Sequence, residues 1–222
     1  MRVYFLGTKP TLGHYAGYKL LDGDVSKIEV ADKTPDAGFD LNTASTYPCY
    51  QGRAVKTDFV PTKIEYQEKG PLPDANKAFG LLTFAERFRD VVEVIEPGVH
   101  QFLPVDYFDR KGAPLGRQHI FVAGNRLDSV HRERSNMVLV KGMRWCPPSD
   151  IAGRAPDPRD VVLPHIDMAA PGALVFSNQK VGDKHAWCDM FMLSGPNLSD
   201  ALGAALQAEN LTGIHLEKCE AA

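Results

Sequence analysis

Residues 83–95 constrain the fold more than any other stretch of the chain. Phe84, Phe88, Val91, Val92 and Ile95 recur at i, i+4, i+7, i+8 and i+11, while Glu86, Arg87, Arg89, Asp90 and Glu93 lie mostly opposite. That spacing draws one apolar stripe along a 3.6-residue helix, and such a stripe must be buried against another layer. Thr83 with Glu86 three residues on reads as a capping box, and Pro97-Gly98 ends the helix.

The segment after the helix is extended. Apolar and aromatic residues at 99–108, the Arg110-Lys111-Gly112 turn and a second run at 118–123 predict a hairpin with an enlarged loop. Residues 137–140 form another apolar run. Residues 145–172 hold six prolines and no periodic pattern, so they read as a long ordered excursion and a candidate contact surface. Residues 173–177 and 186–193 read as strands, the second almost continuously apolar and therefore interior to its sheet. A helix comes next, with Asn197 and Asp200 at its start, Leu198, Leu202, Ala205 and Leu206 as its stripe, and Gly213 as its left-handed cap. Residues 214–217 close the chain as a strand. Before the helix, residues 2–6, 27–30 and 55–67 carry β-branched and aromatic runs, the last broken at Pro61. The run Gly70-Pro71-Leu72-Pro73-Asp74 disfavours helix and marks a boundary. The expectation is an α+β protein: a mixed or mostly antiparallel sheet with a few amphipathic helices packed on it. An N-terminal β-rich subdomain is expected at 1–73, and a second unit at 74–222 with the Pro-rich excursion at 145–172.

With 222 residues, 44% of them hydrophobic, the chain can build a core without a disulfide or metal staple. Cys49, Cys146, Cys188 and Cys219 lie far apart with no Cys-x-x-Cys pair, and the first residues lack a signal-peptide pattern. Reduced thiols in a cytoplasmic protein are therefore expected. No stretch approaches the ~20 apolar residues that span a bilayer. A formal charge of −3 argues against a dedicated nucleic-acid binder. The charge is nevertheless uneven. Residues 21–40 carry Asp22, Asp24, Glu29, Asp32, Asp36 and Asp40 against Lys27 and Lys33, whereas residues 110–144 carry eight Lys or Arg against Asp128 and Glu133. Two faces of opposite sign would suit a charged partner, although scattered solvated side chains explain the same counts.

The common catalytic signatures are missing. There is no phosphate loop, no Gly-x-Gly-x-x-Gly, no Gly-x-Ser-x-Gly and no His-Glu-x-x-His. His185 and Cys188 supply two potential zinc ligands where a structural site needs four. Glu96 and His100 could act as an acid and a base, or simply belong to a helix end and a turn. Asp189 inside an apolar strand must face solvent, pair with Arg or backbone donors, or mark a functional groove. No catalytic, cofactor or metal residue is assigned, and no cofactor is expected. An enzyme built around His100, His119 and Asp189 is the alternative reading, and nucleic-acid binding through residues 110–144 a third.

Residues 82–105, with Glu96-Pro97-Gly98-Val99-His100-Gln101-Phe102 at their centre, resemble the helix and adjoining strand of a large bacterial immunity family, the eleventh class among polymorphic-toxin systems. The ending is similar too: Asp183-Lys184-His185, Met190-Phe191-Met192-Leu193, residues 198–206, and Leu211-Thr212-Gly213-Ile214-His215-Leu216-Glu217. The resemblance covers roughly residues 80–220 and carries no binding residue across. It implies a non-enzymatic protein that binds a cognate toxin domain, a nuclease among the candidates, in the cytosol of the producing cell. If the toxin has a basic cleft, Asp22, Asp24, Asp32, Asp36 and Asp40 are the candidate contacts, acting as phosphate mimics. The sequence leaves the oligomeric state open.

Overall fold

The computed structural model describes residues 2–9, 17–36, 47–155, 157–192 and 194–222. Among them are fourteen strands and three α-helices: β1 (Val3–Thr8), β2 (Tyr18–Leu20), β3 (Lys63–Tyr66), β4 (Ala75–Ala78), β5 (Leu81–Phe84), α1 (Glu86–Ile95), β6 (Gln101–Phe108), β7 (Pro114–Val122), β8 (Asn125–Leu127), β9 (Val138–Val140), β10 (Arg144–Cys146), β11 (Val175–Phe176), α2 (Asn178–Val181), β12 (Ala186–Asp189), β13 (Asn197–Ser199), α3 (Asp200–Ala208) and β14 (Ile214–Ala221). The α+β class is that expected from the sequence, with both sheets mixed. No helix among the described residues is long and apolar enough to cross a membrane.

The first sheet runs β11-β14-β1-β13-β12-β8, and the second β2-β3-β6-β7-β5-β4, while β9 and β10 form a separate hairpin. Strands from either side of the Pro-rich 70–73 run share both large sheets: β1 pairs with β13 and β14, and β3 lies parallel to β6. The second sheet curls until its edge strands meet, where the Tyr18 hydroxyl on β2 donates to Asn76 Oδ1 on β4 at 2.9 Å. Inside the curl, Asn76, Gln118, Thr83 and Tyr107 form a buried chain of hydrogen bonds. Each amide and hydroxyl in it has a partner, so the chain fixes the strand alignment instead of costing unmet polar groups.

Period-two alternation gives the first sheet two apolar faces. Tyr4 and Leu6 of β1 join the main core, which spans both sheets and takes in Phe84, Phe88, Phe121, Leu198, Leu202 and Leu206. Val3, on the opposite face, packs with Val130, Phe176, Val181 and Trp187. Helix α3 lies close on β1, because a Cβ at Gly203 would sit 2.3 Å from the Tyr4 ring. Glycine inside a helix costs roughly 1 kcal/mol of propensity, and this close approach explains its presence.

Several local expectations need correction. Thr83 is not a helix cap: it lies in β5, its hydroxyl joins Tyr107 and Gln118, and Ala85 precedes α1 without any side-chain cap bond. Phe84 belongs to the same strand, yet it stacks on Phe88 at 3.9 Å, so the helical stripe captured a real contact between two elements. Ser199, not Asn197, caps α3 by accepting from Leu202 N. Asn210, with φ 51°, takes the left-handed position after that helix, and Gly213 serves the turn into β14. Residues 27–30 form no strand; a 3-10 turn at Val25–Lys27 leads to a single bridge between Val30 and Val55. The tight β4–β5 hairpin, turned by Phe79 and Gly80 at positive φ, was not foreseen.

Candidate functional site

The acidic segment is built from turns. Asp22 accepts from the backbone N of Thr62 (2.8 Å) and Lys63 (2.9 Å) and from the Thr62 hydroxyl, tying its loop to the start of β3. Asp24 caps the 3-10 turn through Ser26 and pairs with Lys27 at 3.1 Å. Asp32 accepts from Thr34 N, with its side chain 69% exposed. Asp36 receives Arg126 at 2.5 Å and Arg53 at 3.0 Å. Arg53 also donates to the carbonyls of Asp32 and Thr34 and thereby straps the segment down. Asp40 lies outside the described residues. Hydrogen bonds from neighbours outweigh what desolvation there is, so all four described aspartates titrate below the usual carboxylate range. Asp24 and Asp32 remain exposed carboxylates, Glu29 beside them is bridged by Lys33 (3.0 Å) and Lys56 (3.1 Å), and Asp36 is largely spent on holding Arg126.

The acid and base candidates Glu96, His100, His119 and Asp189 are all buried. Glu96, at the end of α1, accepts from His100 Nε2 (2.9 Å), Asn125 Nδ2 (2.9 Å), Ala186 N (2.9 Å) and His185 N (3.1 Å). Burial pushes this carboxyl up, but the bonds from His100, Ala186 and Asn125 prevail and hold it at about 2. His100 uses its other nitrogen to accept from Gly124 N at 3.0 Å. Glu96 and His100 thus form a junction between helix α1, the strand after it, β8 and β12. The reason is sequence-local at one end only: Pro97-Gly98 turns the chain so that residues 96 and 100 face each other.

Asp189 does not face solvent. It is 1% exposed and accepts from Ser129 N (2.7 Å), Ser129 Oγ (2.8 Å) and Phe191 N (2.9 Å), the second of its three expected settings. Burial raises its pKa and those donors only partly offset it. His119 lies buried on β7, 3.3 Å from Glu86 Oε2 but not aligned for a hydrogen bond, and burial lowers its pKa. His185 Nδ1 meets Ser199 Oγ at 2.8 Å, and the fully buried Cys188 thiol is pushed up to about 12. His100, His119 and Asp189 therefore serve separate networks. Among the described residues no three His, Cys, Asp or Glu side chains converge on a metal-sized site.

The basic stretch is divided as well. Arg117 pairs with Asp106, Arg126 with Asp36 and Arg132 with Asp128. Sequence reasoning did not single out Arg126 or Arg53, since nothing along the chain announces that two arginines converge on one carboxylate. The run His131-Arg132-Glu133-Arg134 reads from sequence as a solvated charged turn, yet the Arg132 guanidinium stands 5.5 Å from the Trp145 ring and 5.6 Å from that of Phe191. The Pro-rich excursion is ordered by turns and by the bridge between Leu139 and Val161, and it exposes Val162 and Met168.

The family model described as Immunity protein family (Imm11) matches residues 10–221. The chain belongs to this immunity protein family. The match reaches well before residue 80, so β2, β3 and the acidic segment lie within its span, while β1 precedes it. No curated protein matches the chain. Membership of Imm11, a class described by immunity, suggests neutralisation of a toxin.

Proposed function

We propose that this Imm11 protein is a non-catalytic inhibitor that binds a cognate toxin domain in the cytoplasm of the producing cell. The family match over residues 10–221 carries the reading. Two features support it. The acid and base candidates are engaged in scaffold hydrogen bonds, and all four cysteines are free thiols, in keeping with a reducing compartment. The acidic segment supplies long-range attraction to a toxin with a basic cleft, a nuclease being one such toxin. Asp24, Glu29 and Asp32 act mainly on the encounter rate, since exposed charges steer association more than they add affinity.

The test is co-expression with the toxin domain encoded beside this chain's gene, scored by growth and by copurification. Rescue with a stable complex is the expected result. Rescue without a complex would replace inhibition by an enzymatic repair or pre-emption, and no rescue would remove the immunity reading for that pair.

A further inference from the structure

Among the described residues, strand β14 is paired along most of one side and only at its end on the other. Along β1 it is matched from Val3–Cys219 to Thr8–Ile214, whereas β11 covers the other side only at Glu220 and Ala221. The ladder decides which backbone groups face the open half. Lys9 N donates to Gly213 O at 2.7 Å, so the pairs two residues apart, Gly7–His215 and Phe5–Glu217, are the ones that exchange bonds. Leu6 N donates to Pro196 O, on the β13 side, as this alternation requires. Ile214, Leu216 and Lys218 then direct their N–H and C=O groups away from β1, and among the described residues nothing receives them.

The same edge borders a groove of about 430 Å³ between α3 and β14, in which Leu206, Leu211, Ile214 and Leu216 supply the apolar lining and Lys9, Gln207, Asn210 and His215 the polar one. A strand added beside Ile214 and Leu216 would point alternate side chains into it. Lys9 lines this groove and Lys218 lies on the groove face of β14; neither has an ion-pair partner among the described residues.

We propose that this edge accepts an extended segment of the toxin as an additional strand, with apolar side chains at alternate positions and a carboxylate facing Lys9 or Lys218. Main-chain hydrogen bonds hold the segment and the groove selects its side chains. A second copy of this chain fits worse. Antiparallel pairing of two β14 strands about Leu216 sets residue 218 of one opposite residue 214 of the other. Strand β11, on the same edge at Glu220–Ala221, would then run into the residues before Ile214. The proposal rests on the immunity reading and names where the partner docks.

Backbone amide exchange of the full chain, alone and with the neighbouring-gene toxin domain, tests it. The expected result is fast exchange at Ile214, Leu216 and Lys218 in the free protein, slowed at least about tenfold in the complex. Reversing both cations, Lys9→Glu with Lys218→Glu, should raise the dissociation constant roughly tenfold, and Leu216→Pro, which deletes an outward N–H that β1 does not use, should raise it further. The double reversal touches only exposed side chains and covers the case in which the proline variant fails to fold. A complex whose three amides exchange as in the free protein overturns the docking site and leaves immunity standing. Slow exchange in the free protein means that the chain itself covers the edge, and a concentration-dependent slowing without toxin means self-association; either overturns the proposal. Absence of both complex and rescue overturns the immunity reading, and this inference with it.

Discussion

The carboxylates inside this protein and those on its acidic segment differ in what they hold, although along the chain they look alike. Glu96 and Asp189 are nearly inaccessible and collect backbone and side-chain donors from distant elements. Asp24 and Asp32 mostly bind within their own turns, and Asp32 remains largely open to water. Burial removes water as the competing partner, so the inner pair becomes structural and costly to alter. The outer pair keeps its charge available for a field that a partner can sense. Asp36 stands between these extremes, a surface carboxylate claimed by the arginine that also supports Gln51.

The sharpest way to break this contrast is to substitute Glu96. Glu96→Gln should destabilise the fold by about 3 kcal/mol in urea unfolding, because the amide cannot accept from all four donors and leaves some buried without a partner. A loss near zero would mean that the junction is not structural. Acid should act on the same residue. Its pKa, about 2 in the fold, lies below the ordinary value of 4.5, so its contribution is fully present above that value and disappears as pH falls from 4.5 toward 2. The linkage amounts to roughly 3 kcal/mol, and Glu96→Gln should flatten that limb of the stability profile.

Asp189→Asn should cost less, about 1 to 2 kcal/mol, since one carbonyl oxygen can still receive Ser129 while Phe191 N is left unpaired. Its sign with pH is opposite. With the folded pKa raised, ionisation of the unfolded chain comes first, so this residue's contribution declines as pH rises through the ordinary carboxylate range. The smallest structural effect belongs outside: Asp24→Lys with Asp32→Lys should lower the unfolding midpoint only slightly, through the lost turn caps, and slow toxin association about tenfold at low salt, with the difference fading as salt is added. An unchanged association rate would detach the acidic segment from recognition.

Much of the fold could be read from local pattern. The α1 stripe, the β6–β7 hairpin, and the α3–β14 ending follow from apolar periodicity and from the Pro97-Gly98 stop, whereas Asn197 and Leu198, read as the start of that helix, form β13. The features that escaped reading were decided at longer range. The β4–β5 hairpin uses Phe79-Gly80 at its turn, and strands of only four residues carry too little periodicity to detect beside it. Thr83 had the spacing of a helix cap, but pairing of β5 with β4 and β7 offered its backbone a ladder and its hydroxyl a buried partner. The candidate site was less legible still. Asp22, Asp24 and Asp32 were visible as charges, yet their partners Thr62, Ser26 and Thr34 became known only with the turns in place.

By itself the sequence determined the α+β class, the principal helices, the free-thiol chemistry implied by scattered cysteines, and a likeness to an immunity family that the match over residues 10–221 bears out. Tertiary structure alone decided that Glu96 and His100 join α1 to β8 and β12, that Asp36 answers Arg126, and that among the described residues the side of β14 away from β1 is paired only at Glu220 and Ala221. Helical and strand periodicities are properties of neighbouring residues and survive in a linear text. Burial, hydrogen-bond partnership and edge exposure depend on residues as far apart as 36 and 126, or 96 and 186, and exist only once the chain has brought them together.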